Sequence, residues 1–244
     1  MNQAAAAGEE VLARIAGGAM LYDASCLGHP DAAVFEPGYW QAAGGVEATR
    51  GGRGTVVFIT TQRGQRWVLR HYRRGGLVAR LCDDLYFWTG QARTRSFREW
   101  RLLRQLRAWN LPVPQPVAAC FRRAGLGYRA DLLTAELPSR LTLAAALREA
   151  PLPSGTWGAV GSCIAALHHR GVQHADLNAH NLLLGGAGEV YVLDFDRGRI
   201  RARGAWEQQV LRRLRRSLLK VTAGLPADRF GDEQWRALLL GAGE

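Results

Sequence analysis

The stretch that most constrains this chain is His174-Ala175-Asp176-Leu177-Asn178-Ala179-His180-Asn181, followed by Val190-Tyr191-Val192-Leu193 closing on Asp194. Leu182-Leu183-Leu184 reads as a short strand, Gly185-Gly186-Ala187-Gly188 as a turn, and Val190 to Leu193 as the returning strand. A hairpin of that length folds Asp194 back beside Asn181, so two hard oxygen ligands meet one cation. Magnesium is the cation such ligands suit. Asp176 then stays at the mouth of the loop, free to face the hydroxyl of a substrate. His174 is expected to brace the loop by hydrogen bonding.

The preceding half of the chain supplies residues suited to phosphate. Arg50-Gly51-Gly52-Arg53-Gly54-Thr55 leads into the β-branched and aromatic run Val56-Val57-Phe58-Ile59. Glycines before a strand let backbone N–H groups approach phosphate without interference from Cβ, which makes Gly51, Gly52 and Gly54 candidates for a phosphate-covering loop. A second strand, Arg66-Trp67-Val68-Leu69, follows the Gln62-Arg63-Gly64 turn and delivers Arg70. Its planar guanidinium is a bidentate donor for phosphate or carboxylate.

Ser96 to Trp109 reads as a helix. At about 100° per residue, Leu102, Leu103 and Leu106 share a face with Glu99 in its middle, opposite Arg98, Arg101, Arg104 and Gln105. A carboxylate on an apolar face requires a cationic partner, and Arg70 is the candidate. The alternative is a capping box, because Ser96-Phe97-Arg98-Glu99 also fits S-x-x-E. Leu111-Pro112-Val113-Pro114-Gln115-Pro116 ends this helix. Strands are expected over Val117 to Phe121 and Tyr128 to Thr134, then helices over Leu141 to Ala150 and Trp157 to His169, with Gly171 stopping the last. His168 and His169 read as packing or surface residues.

The loop and the acid after it resemble the catalytic loop and metal-binding acid of the protein-kinase-like phosphotransferases, H-x-D-x-x-x-x-N and D-F-G. More narrowly, the chain from about Gly51 to near Lys220 resembles the bacterial 3-deoxy-D-manno-octulosonic acid (Kdo) kinases of lipopolysaccharide assembly. Leu69-Arg70-His71-Tyr72-Arg73-Arg74-Gly75-Gly76, the HADLNAHN loop and Asp194-Phe195-Asp196-Arg197-Gly198 carry that resemblance. It implies an α+β, compact two-lobed fold: an N-terminal antiparallel sheet plus one helix over about 45–136, and a reduced, mostly helical lobe over 137–244. Residues 1–45 form an N-terminal extension. ATP and Mg2+ are the implied cofactors. Asp176 is the implied base, Asn181 and Asp194 the metal ligands, and Arg70 paired with Glu99 the phosphate contact. Backbone groups of Glu136 and Leu137, at the hinge between lobes, become candidates for adenine.

Departures from the protein-kinase pattern narrow the acceptor. Arg70 stands where a lysine is usual, although the Kdo kinases also read L-R-H-Y. The third position of the D-F-G motif is Asp196, which would contact metal or substrate or pair with a neighbour such as Arg197. Asn178 stands two after Asp176 where serine/threonine kinases carry lysine, and the 50 residues after Asp194 hold no A-P-E. A small-molecule or glycolipid acceptor is expected, and no protein substrate. The resemblance implies the 4-hydroxyl of the Kdo of Kdo-lipid IV-A. A heptose kinase, an aminoglycoside-type phosphotransferase or a silent nucleotide-binding pseudokinase are the alternatives.

Charge agrees with an anionic partner: 32 Lys and Arg against 21 Asp and Glu leave a formal net charge of +11. Aromatic residues are not interleaved with the basic ones in an exposed run, so nucleic acid is not expected. Cys26, Cys82, Cys120 and Cys163 stand singly, which fits a reducing cytoplasm and no zinc site. Met1 to Gly18 is Ala-rich, a candidate helix, and lacks the apolar segment of a signal peptide. From Glu207 to Lys220, Val210, Leu211, Leu214 and Leu218 face away from Arg212, Arg213, Arg215, Arg216 and Lys220. That pattern fits a packed helix with a solvated outer face, or one lying on a membrane surface. With no apolar run long enough to span, the expectation is peripheral contact with the anionic cytoplasmic face of the inner membrane.

Overall fold

The computed structural model describes residues 8–51, 55–73 and 84–244. They form a mixed α/β structure with antiparallel sheets and, among the described residues, six α-helices. Two compact units result. One runs to Ala108 and includes Pro114–Glu136; the other joins Trp109–Val113 to Leu137–Glu244.

The first unit contains β1 (Glu10–Ile15), β2 (Gly18–Asp23), α1 (Pro37–Ala42), β3 (Val46–Gly51), β4 (Thr55–Thr60), β5 (Arg66–His71), β6 (Tyr86–Phe87), α2 (Arg95–Ala108), β7 (Pro116–Ala124) and β8 (Gly127–Ala135). The sheet order is β1-β2-β7-β8-β5-β4-β3, with β6 beside β8. Register decides which residues share a face. Val57, Leu69, Leu133 and Ala118 stand opposite one another across four strands. This row is buried in a core with Val34, Phe35 and Trp40, and the Trp40 indole N–H donates to the Val34 carbonyl at 2.8 Å. The adjacent row, Val56, Arg70 and Leu132, belongs to the other face.

The expected Ala-rich helix is not what residues 10–15 form. Val11, Ala13 and Ile15 are partly buried against the core while Glu10, Leu12 and Arg14 are exposed. A period of two pairs this segment with β2, overriding alanine's preference for helix. The early residues are therefore an edge of the sheet.

The second unit contains β9 (Ser139–Thr142), α3 (Leu143–Glu149), α4 (Ser154–His169), β10 (Val172–Gln173), β11 (Leu182–Gly185), β12 (Val190–Val192), β13 (Arg199–Ile200), α5 (Trp206–Thr222) and α6 (Asp232–Ala242). The helix expected from Leu141 begins two residues later, because Thr142 caps it: its hydroxyl accepts the Ala145 N–H at 3.1 Å. In α4, Val160, Ile164 and Leu167 are buried, and Gly171 follows the C-cap at φ +68°. Helices α4 and α6 approach at backbone distance. A Cβ on Gly161 would lie 2.0 Å from the Leu238 carbonyl oxygen, and one on Gly241 2.2 Å from that of Gly158. In α5, Val210, Leu211, Leu214 and Leu218 are buried while Arg212, Arg213, Arg215, Arg216 and Lys220 are exposed. The helix is packed through its apolar stripe, with its basic face outward. No described helix is long and apolar enough to cross a membrane.

Candidate active site

The expected hairpin forms in register, with Leu182 opposite Val192, Leu183 opposite Tyr191 and Leu184 opposite Val190. One residue past it, the Leu193 N–H donates to the Asn181 carbonyl at 2.9 Å, which brings Asp194 alongside Asn181. Asp194 occupies the left-handed region at φ +62°, a conformation that Asp adopts more readily than most side-chain-bearing residues. Phe195 beyond it is 1% exposed and packs edge-on against the His174 ring, centroids 4.8 Å apart.

His174 braces the loop from inside. Its Nε2 lies 2.8 Å from the Leu193 carbonyl oxygen, and its Nδ1 accepts the Asp176 N–H at 3.3 Å. A carbonyl can only accept, so the ring carries its proton on Nε2. Burial lowers the pKa of His174, consistent with that neutral form. The Asp176 carbonyl in turn accepts the Asn178 side-chain amide at 2.8 Å and that of Asn181 at 3.2 Å. Asn178 also accepts the His180 N–H at 2.9 Å, so this amide is committed to holding the loop.

These contacts bear on a metal. With its N–H2 turned to the Asp176 carbonyl, the Asn181 amide keeps its side-chain oxygen as a hard donor. Among the described residues no group of three or more His, Cys, Asp or Glu could hold a metal. A carboxylate and an amide oxygen are hard donors of the kind magnesium accepts while taking its other ligands from phosphate and water.

One expectation is corrected here. Asp176 is not free at the loop mouth: Arg213 of α5 hydrogen-bonds its carboxylate, both side chains remaining nearly half exposed. Four residues on, Ser217 accepts the Ala179 N–H at 3.1 Å and ties the same helix to the loop.

In the first unit, Arg70 donates to the Glu99 carboxylate at 2.5 Å, and Glu99 is 2% exposed. Tyr72 donates to the same oxygen at 2.5 Å. The capping-box alternative fails, because α2 starts at Arg95 and the Ser96 hydroxyl donates instead to the Cys120 carbonyl at 2.8 Å. The buried face of α2 is Phe97, Glu99, Trp100, Leu103 and Leu106, with Leu102 only partly buried. Gly51 ends β3 opposite Thr55, while Gly52 and Gly54 lie outside the described residues, as do Arg74, Gly75 and Gly76. The Glu136 N–H donates to the Arg66 carbonyl at 2.9 Å, extending the ladder of β5, and the Leu137 carbonyl accepts the Ser139 N–H at 2.7 Å. These two groups are engaged within the chain, so of the backbone groups expected to serve adenine the Glu136 carbonyl and the Leu137 N–H are the candidates that remain.

His71, next to Arg70 and so on the opposite face, escaped the sequence reading as a site. Its Nδ1 lies 2.6 Å from Asp131 and its Nε2 3.4 Å from Asp84. The hydrogen bond to Asp131 raises its pKa. A cavity of about 350 Å³ opens on this face beside Phe35, His71, Arg122 and Asp131. It is not the face of Arg70 and Glu99.

Residues 38–241 match the profile of the lipopolysaccharide kinase (Kdo/WaaP) family. The chain is 47% identical over 210 residues to a 3-deoxy-D-manno-octulosonic acid kinase of Xanthomonas axonopodis pv. citri, covering 84% of this chain and 81% of that one. A protein of the same name from Stenotrophomonas maltophilia is 44% identical over 209 residues, with the same coverage. The loop, hairpin and ion pair just described all lie within the matched residues. The chain belongs to the lipopolysaccharide kinase (Kdo/WaaP) family.

Proposed function

We propose that this chain transfers the γ-phosphoryl group of ATP to a hydroxyl of Kdo in lipopolysaccharide synthesis. The family is one of kinases, so the reaction class is phosphoryl transfer to an alcohol. The observation that supports the finer reading is the Leu193–Asn181 backbone bond, which returns the chain so that Asp194 follows directly beside Asn181, five residues after Asp176. Relatives bearing the Kdo kinase name support the choice of sugar.

Phosphoryl transfer asks a protein chiefly to position reactants and neutralise charge. Asp176 takes the proton of the acceptor hydroxyl as its oxygen bonds to phosphorus and ADP departs. Asn181 and Asp194 would hold magnesium, which supplies charge neutralisation at the phosphates when bound. Arg70, fixed by Glu99 and Tyr72, would contact phosphate, with Gly51, Gly52 and Gly54 in the loop covering it. Around Glu136 and Leu137, adenine would have to use the groups not already engaged: the Glu136 carbonyl and the Leu137 N–H. The acceptor in this reading is the 4-hydroxyl of a Kdo on lipid IV-A, met at the anionic cytoplasmic face of the inner membrane by a peripherally bound, kinase-like two-lobed protein. The basic surface suits an acceptor bearing carboxylate and phosphates.

Incubation with magnesium and ATP, and separately with Kdo-lipid IV-A, heptosylated core or an aminoglycoside, tests this by mass spectrometry of the products. Phosphate on Kdo-lipid IV-A alone is expected; labelling confined to the heptosylated core would overturn the acceptor. Asp176→Ala should lower kcat by about 10²–10⁴-fold while ATP binding persists. Near-normal turnover would remove Asp176 from its role.

A further inference from the structure

The contact between α5 and the loop asks for a purpose beyond folding. Arg213 and Ser217 stand one helical turn apart, on one face of α5. Ser217 holds the loop backbone at Ala179, and Arg213 bonds the Asp176 carboxylate. The Arg213 and Asp176 side chains are 47% and 45% exposed. Exposed ion pairs contribute about 0–1 kcal/mol, so stability does not account for this one. The loop is already braced without it, through His174, Asn178 and Asn181. What the pair achieves is placement: a guanidinium is held beside the atom that must receive the acceptor hydroxyl. The loop offers no lysine there, and the Asn178 amide is spent on the loop itself.

We propose that Arg213 is a specificity-determining residue that binds the carboxylate of the acceptor sugar, an inference resting on the Kdo kinase reading above. An octulosonic acid carries one carboxylate in addition to its hydroxyls, and the relatives are named for that acid. A guanidinium has five N–H donors in a fixed fork, enough to serve two carboxylates together. The resting pair with Asp176 keeps Arg213 extended toward the loop. Arrival of the sugar carboxylate gives the guanidinium a second anionic partner and draws one oxygen of Asp176 free for the hydroxyl. Neutral sugars lack the group that does this, so they are selected against at the same residue that faces the base.

The test compares Kdo-lipid IV-A with its Kdo methyl ester in steady-state kinetics of the wild type, Arg213→Ala and Arg213→Lys. The wild type should prefer the free acid. In Arg213→Ala, the KM for the acid should rise about 10–100-fold, the worth of a charge-assisted hydrogen bond, with the KM for ATP unchanged. The preference for acid over ester should then disappear, and Arg213→Lys should restore part of it. An Arg213→Ala enzyme that keeps both its acceptor KM and its acid preference overturns the proposal. So does one that loses kcat with the preference intact, which would make Arg213 a positioning residue for Asp176 or a contact to lipid phosphate. A wild type inactive on every Kdo acceptor would instead sink the proposed function, so the two failures are distinct.

Discussion

Two side chains, Arg70 and Tyr72, converge on one carboxylate oxygen of Glu99 in the first unit, and the physics of that point is exacting. Glu99 is buried in an apolar helix face and would be intolerable there without compensation. Arg70 and Tyr72 both reach it, at 2.5 Å each. Removing the phenol leaves an ionised group short of a donor, so Tyr72→Phe should cost about 1.5–3 kcal/mol, measured by chemical denaturation. An unchanged midpoint would show that the Tyr72 contact carries no weight. Two histidines bear on pH in opposite senses. Burial lowers the pKa of His174, so the unfolded chain binds its proton more readily than the folded one. Its stabilising effect is full above the usual histidine range and is lost as pH falls through the lower folded value. His71 is raised by Asp131, so its effect is full at acid pH and is lost as pH rises through the raised value. His174→Gln should flatten the acid side of the stability profile and His71→Gln the neutral-to-alkaline side. A profile unmoved by either substitution would contradict both assignments.

At the scale of elements, the pattern of the chain announced β4, β5, α2, the hairpin and the two helices before the loop, and their ends less well. The hairpin over Leu182 to Leu193 was legible because glycines interrupt two apolar runs at a spacing that only a tight turn satisfies. Strand β1 was not, since six residues alternate weakly inside an alanine-rich run and helix propensity misleads there. Helix packing depended on features with no local signal. Gly161 lies where α6 crosses within 2.0 Å of an added Cβ, and the obstacle is backbone, not a side chain that can swing away. Gly161→Ala should therefore destabilise the protein by about 1–3 kcal/mol despite alanine's better helix propensity. A gain in melting temperature would show that α4 and α6 separate without penalty.

For the whole molecule, a formal charge of +11 and the exposed arginines of α5 predict attraction to anionic surfaces. Co-sedimentation with phosphatidylglycerol-containing vesicles is expected at about 0.05 M salt and should vanish near 0.5 M, where screening shortens to a few ångströms. Binding that survives high salt would point to apolar insertion instead. Motif spacing alone singled out the loop carrying Asp176, the hairpin that returns Asp194 to Asn181, and the need of Glu99 for a cation. Each of those follows from local rules: turn length, strand period, helical period and the chemistry of hard ligands. Only the tertiary structure decided between a capping box and an ion pair for Glu99, drew Tyr72 into it, folded residues 10–23 into the sheet and set Arg213 against Asp176. These contacts join residues far apart in the chain, 37 positions in the case of Arg213 and Asp176. Sequence periodicity shows which face of a helix is buried, but packing alone selects which of several exposed arginines stands beside a particular carboxylate.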